Sequence, residues 1–134
     1  MKKNKAFTLI ELLVVLAIIG LLVAIVLVSM GTVRNKGKDA AVKRLMGQIR
    51  SVGEVYYASQ TPNTYVGFDT STELGYIETD VFKNNGGVAF THFLNITAYC
   101  FQSPILGGGS WCSDSTGYRG IIANCEGTNF DCAP

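Results

Sequence analysis

Three sets of residues have types and positions that could do chemistry. The first is Glu11, a lone carboxylate at the head of an apolar run; residues 12–33, 22 in number, include no charged side chain. A carboxylate at the edge of such a run is costly in hydrocarbon, so it calls for a partner and a role. It is preceded by Lys5-Ala6-Phe7, a base, a small residue and an aromatic ring in succession. The second set is Cys100, Cys112, Cys125 and Cys132, all in the last third of the chain. An even count beyond a membrane-length apolar run reads as two disulfides in an exported head. The third is His92, the only histidine, with Asp114 and Asp131 in loops rich in Gly, Ser and Asn. His92 has no nucleophile motif beside it, so it reads as a strand or surface residue. The cysteines lack the close paired spacing of a zinc site. Two separated carboxylates fall short of the six to eight oxygens that calcium takes. Gly107-Gly108-Gly109 lacks the strand–helix context and the lysine of a phosphate loop. The expectation is no catalytic residue, no metal and no cofactor.

The element that must position Glu11 is a helix. As a helix, residues 12–33 extend about 33 Å, which matches a hydrocarbon core of about 30 Å. A secretory signal peptide has an apolar stretch of about 7–15 residues and a small-x-small exit. This run is longer, begins with Glu11 and has no such exit. Lys-Ala-Phe-Thr-Leu-Ile-Glu-Leu followed by an apolar helix resembles the N-terminus of type IV pilins and pseudopilins, over about residues 2–33. The resemblance implies cleavage by a prepilin peptidase between Ala6 and Phe7, N-methylation of Phe7, and a role for Glu11 in filament assembly, where it pairs with the N-terminal amine of a neighbouring subunit. Two departures stand in the sequence. Ala6 occupies a position where the family nearly always has Gly, and there is no helix-breaking Pro near Val28.

Charge is polarised along the chain. The net charge is +1, but Lys2, Lys3 and Lys5 precede the implied cut, leaving −2 in side chains after it. Residues 34–50 hold Arg34, Lys36, Lys38, Lys43, Arg44 and Arg50 against Asp39 alone. From Ser51 onward, Lys83 and Arg119 face eight acids. The basic segment reads as a contact for acidic heads of neighbouring copies. Lipid headgroups and nucleic acid are the other polyanions it could meet; DNA binding is not indicated.

The domains follow as a leader, residues 1–6; a transmembrane or filament-core helix, 7–33, with soft points at Gly20 and Gly31; an amphipathic helix of the head, 34–60; and a loop-and-sheet head, 61–134. Val42, Leu45, Met46, Ile49, Val52 and Tyr56 fall at helical spacing on one face. Residues 61–64 end that helix, residues 73–77 are ambiguous, and Asn84-Asn85-Gly86-Gly87 is a turn. The resemblance implies a variable loop between spine and sheet here. Antiparallel strands are expected over 88–93, 95–102, 110–113 and 118–123, with a wide loop around 104–108 and a tight turn at 113–117. Cys100 and Cys112 are symmetric about Leu106, so a hairpin closed there would pair them and leave Cys125 with Cys132. Four cysteines allow three connectivities.

The fold class expected is α+β and type IV pilin-like: a long N-terminal helical spine, membrane-spanning in its first half, on a small antiparallel β-sheet head. The function expected is a structural pilin subunit, with a type II secretion pseudopilin or a membrane-anchored binding protein as alternatives. Its partners would be other pilins, prepilin peptidase, the inner-membrane assembly machinery and, before assembly, the bilayer. It would sit in the inner membrane with its head outside the cytoplasm, then in a cell-surface pilus.

Overall fold

The computed structural model describes residues 7–122, 124–125 and 129–133. The leader, with Lys5 and Ala6, lies outside the described residues, as does Ala123 at the end of the last strand expected. The chain divides into two compact units, Met1–Arg34 and Asn35–Pro134. Helix α1 spans Leu9–Ser59. In the first unit every described residue is exposed, apolar side chains included. A helix apolar all round is built for lipid or for other helices. Gly20 and Gly31 lie inside α1, and a Cβ at either would meet nothing within 4 Å.

In the second unit the same helix becomes one-sided. Val42, Leu45, Met46 and Ile49 are buried, and Val52 and Tyr56 pack at the margin of the core, as their spacing predicts. Gly53 continues this stripe for a different reason. A Cβ there would stand 3.1 Å from Tyr99 and 3.2 Å from Phe68, so two rings press directly on helix backbone. Phe68 sits in the 3₁₀ turn Phe68–Thr70. Around it Tyr56, Tyr99 and Phe101 lie with ring centroids 5.4–5.7 Å away, within the range of favourable aromatic pairs.

The segment between spine and sheet is not only loop. Helix α2 spans Thr72–Asn84, with the Ser71 hydroxyl accepting from Leu74 N–H at its N-terminus. Leu74, Ile77 and Val81 are its buried face. Their i, i+3, i+7 spacing is legible, but Gly75 in the first turn weakens the local signal. Asn85-Gly86-Gly87 then makes the turn expected, with both glycines at positive φ.

The sheet is an antiparallel meander, β1 (Thr91–Leu94), β2 (Tyr99–Pro104), β3 (Ser110–Asp114) and β4 (Arg119–Ile122), in that spatial order. β2 starts later than the sequence predicts. The Asn95 side chain accepts from the N–H groups of Thr97 and Ala98, which turns the chain where a strand was expected to continue. A two-stranded sheet of β5 (Asn124–Cys125) and β6 (Cys132–Ala133) completes the head.

The disulfides overturn the hairpin pairing. Cys100 bonds to Cys125, and Cys112 to Cys132. The β2–β3 register sets Cys100 opposite Asp114 and Gln102 opposite Cys112. The hairpin is therefore centred on Gly107 rather than Leu106. Shifting the centre by one residue moves each partner by two, so Cys100 and Cys112 share a face but stand on a diagonal. Cys125 and Cys132 are directly opposite in β5–β6, yet each reaches down to the large sheet instead. Non-reducing peptide mapping is expected to recover 100–125 and 112–132; a 100–112 bridge would show a different register.

Candidate functional site

The N-terminal site is built by the first turn of α1. Thr8 N–H and Thr8 hydroxyl both donate to Glu11 Oε2, at 2.8 and 2.7 Å, and Glu11 N–H donates back to Thr8 Oγ1 at 3.3 Å. This is a capping box, in which a Thr at the cap and a Glu three residues on satisfy otherwise orphan helix donors. The carboxylate also lies at the positive end of the helix dipole. The apolar run by itself accounts for Glu11 only as a cost; its local partner is Thr8, and Thr-x-x-Glu is the sequence signal for that partner. Phe7, 76% exposed, stands just before the box. The structure thus brings Phe7, Thr8 and Glu11 together at one helix end, the last two in hydrogen-bond contact. α1 contains a segment long and apolar enough to cross a membrane, in keeping with a membrane-anchored precursor.

The head is closed by a four-point latch. On one face of the large sheet Cys100, Gln102, Cys112 and Asp114 form a square, with cysteines on one diagonal and acceptors on the other. Cys125 bonds Cys100 through sulfur, while its N–H donates to Gln102 Oε1 at 2.8 Å. Cys132 bonds Cys112, and its N–H donates to Asp114 Oδ2 at 3.0 Å. Asp114 Oδ1 accepts from the Thr116 hydroxyl and from the N–H groups of Gly117 and Tyr118. A carboxylate ringed by donors in this way is not arranged to receive a cation. Among the described residues no group of three or more His, Cys, Asp or Glu is placed to hold a metal. Asp131 immediately precedes β6. His92 lies in β1, stacked on Phe101 and 3.7 Å from Asp69.

Asp39, a lone acid in the basic segment, is a tie between helix and hairpin. Its two oxygens accept from the N–H groups of Leu106 and Gly107, at 2.7 and 2.8 Å. Gly107 is required for this approach, since a Cβ there would stand 2.8 Å from Asp39 Oδ2. Nothing in the local sequence links positions so far apart; only the register of β2–β3 brings the loop to the helix.

Two tyrosines record how dry the helix–sheet contact is. Burial, and then the Glu54 carboxylate that accepts its hydroxyl at 3.3 Å, push Tyr65 up to about 12. Burial pushes Tyr99 up as well. The fold holds the neutral phenol. The stability this lends is complete below the ordinary tyrosine value of about 10 and is lost as pH rises through the folded value of about 12. Thermal melts of the micelle-bound protein are expected to fall between these limits, and Tyr65→Phe to flatten part of that fall. An unchanged alkaline slope in the variant would place the sensitive group elsewhere.

The prokaryotic N-terminal methylation motif matches residues 1–31. The chain is also similar to the type IV wide pilus major component PilA4 of Thermus thermophilus, 29% identical over 112 residues, covering 83% of this chain and 81% of that protein. No solved structure matches it. These observations describe a chain with an N-terminal methylation motif, an apolar helix and an antiparallel β-sheet head, similar over most of its length to a type IV pilin.

Proposed function

We propose that this chain is a structural subunit of a type IV pilus-like filament. The observation that carries the reading is the N-terminus itself: Phe7 and the Thr8–Glu11 box at the head of a helix apolar on every side. The methylation motif and the likeness to a pilus major component support it. The precursor waits in the inner membrane with its head outside the cytoplasm. A prepilin peptidase cuts between Ala6 and Phe7, Phe7 is N-methylated, and the inner-membrane assembly machinery draws the chain into a helical array. Residues 7–33 form the core of that array by apolar packing. Glu11 of one copy meets the Phe7 amine of another. In apolar surroundings such a pair fixes register more than it adds cohesion, because desolvation opposes the attraction.

The test is electron microscopy of sheared surface material, with intact-mass analysis of its main component. The expected result is long filaments of a chain that begins at Phe7 and carries one added methyl group. A pseudopilin of a type II secretion system has the same N-terminus; it predicts a secretion defect on deletion and no long surface filaments. A chain that keeps residues 1–6 and forms no filament would be a membrane-anchored binding protein instead.

A further inference from the structure

The two flanks of the head carry opposite charge in positions that a second copy can use. On α1, Lys36, Lys43 and Arg50 recur every seven residues and therefore share one flank. Lys43 lies over the Trp111 ring, 5.1 Å from its centroid. Two glycines seat two guanidinium groups at this seam in reciprocal fashion. Arg119 of β4 lies against Gly47 of α1, where a Cβ would stand 3.1 Å from its Nη1, and Arg50 of α1 lies against Gly117 of the β3–β4 turn. None of the four cations is ion-paired among the described residues. Glu54, one turn beyond Arg50, is an acid on the same flank and is engaged by the Tyr65 hydroxyl.

The other flank of α1 faces α2. Val52, Val55, Tyr56 and Ser59 line an open apolar groove with Glu73 at its edge. These residues lie roughly 170° around the helix from the cationic line, at about 100° per residue. The outer stripe of α2 is Glu73, Tyr76 and Asp80, spaced i, i+3, i+7. Tyr76 and Val55 are each 71% exposed. Lys83 neutralises part of this stripe through Asp80 at 3.1 Å, but such an exposed pair is weak and readily exchanged.

We propose that the cationic seam of one copy docks on the Glu73–Tyr76–Asp80 stripe of the next, with Arg50 and Arg119 as the cations engaged. This rests on the filament reading and deepens it. Complementary patches on opposite flanks of one chain make a heterologous contact, which propagates instead of closing on itself. Charge of this kind selects partner and orientation more than it adds affinity. A polyanion such as single-stranded DNA suits the seam less well. From Ser51 onward the chain has eight acids against two bases, so the rest of the head repels a polyanion but presents acids to a second copy.

The test uses the full chain. Arg50→Glu with Arg119→Glu is expected to cut filament yield about tenfold, with leader removal and membrane level unchanged. Glu73→Lys with Asp80→Lys is expected to do the same, and the chain carrying all four substitutions to recover most of the yield. Unchanged yield in the first variant, or no recovery in the fourfold one, overturns the docking. Loss of labelled single-stranded DNA binding without loss of filaments assigns the seam to polyanions and overturns it too. If wild type itself makes no filaments, the filament reading fails separately. The docking is then read by sedimentation of the micelle-bound chain, where salt-sensitive self-association should vanish on reversal and return on exchange; its absence overturns the proposal.

Discussion

Glu11→Val is expected to give a chain that is processed, inserted and folded, yet absent from filaments. The substitution lengthens the apolar run and removes a costly charge from its edge, so insertion is normal or improved. The head lies in the other compact unit, so its folding is untouched. Cleavage depends mainly on the leader and its flank. What is lost is the carboxylate that would receive a neighbour's amine, which leaves that amine unpaired among apolar side chains. The structure adds a confounding role, because Glu11 also caps its own helix through Thr8. Glu11→Gln separates the two, since Gln at this position also completes a capping box but has no charge. Leader removal, membrane level and filament yield are measured together. Filaments from the Val variant alone would remove Glu11 from assembly. Filaments from Gln but not Val would make the cap, rather than the charge, the requirement.

Asp114→Ala is expected to destabilise the head by about 2–5 kcal/mol, because buried donors that lose their acceptor cost about 1–3 kcal/mol each. Asp114 is 1% exposed, and its two oxygens serve four donors. Truncation removes the side-chain acceptor of the Thr116 hydroxyl and of the Tyr118 and Cys132 N–H groups at once, while the Gly117 N–H keeps the Asp114 carbonyl at 3.2 Å. Asp114→Asn is expected to fall between wild type and Ala. It keeps one carbonyl for the turn but sets an NH₂ group against the Cys132 N–H, donor against donor. Both disulfides should still form, since the cysteine positions do not depend on this side chain alone. Urea unfolding of the oxidised chain reads the loss. A cost below about 1 kcal/mol, the net worth of a single ordinary hydrogen bond, would mean that the disulfides alone hold β6 in place.

What was legible in the sequence was periodic or contiguous. The apolar run, the α1 stripe from Val42 to Tyr56 and the Asn85-Gly86-Gly87 turn are each set within a few turns of chain. α2 was legible in principle through Leu74, Ile77 and Val81, but three apolar residues around a glycine do not by themselves distinguish a helix from a loop. The Thr8–Glu11 box is equally local, but the apolar run offers a second account of the same carboxylate.

The sequence by itself determined where the chain is apolar on all sides, where it becomes one-sided, and that four cysteines lie well beyond the apolar run. Only the tertiary structure decided which cysteines meet, that Asp39 holds the β2–β3 loop, and that Asp114 and Gln102 receive the last strands. The physical reason is register. Side-chain identity sets what each strand prefers to bury, but a hairpin centred on Gly107 differs from one centred on Leu106 by a single residue at the centre, and so by two in cross-strand register. That residue is fixed by loop geometry around Gly108 and Gly109, both at positive φ, and by a carboxylate that arrives from a helix 67 positions away in the chain.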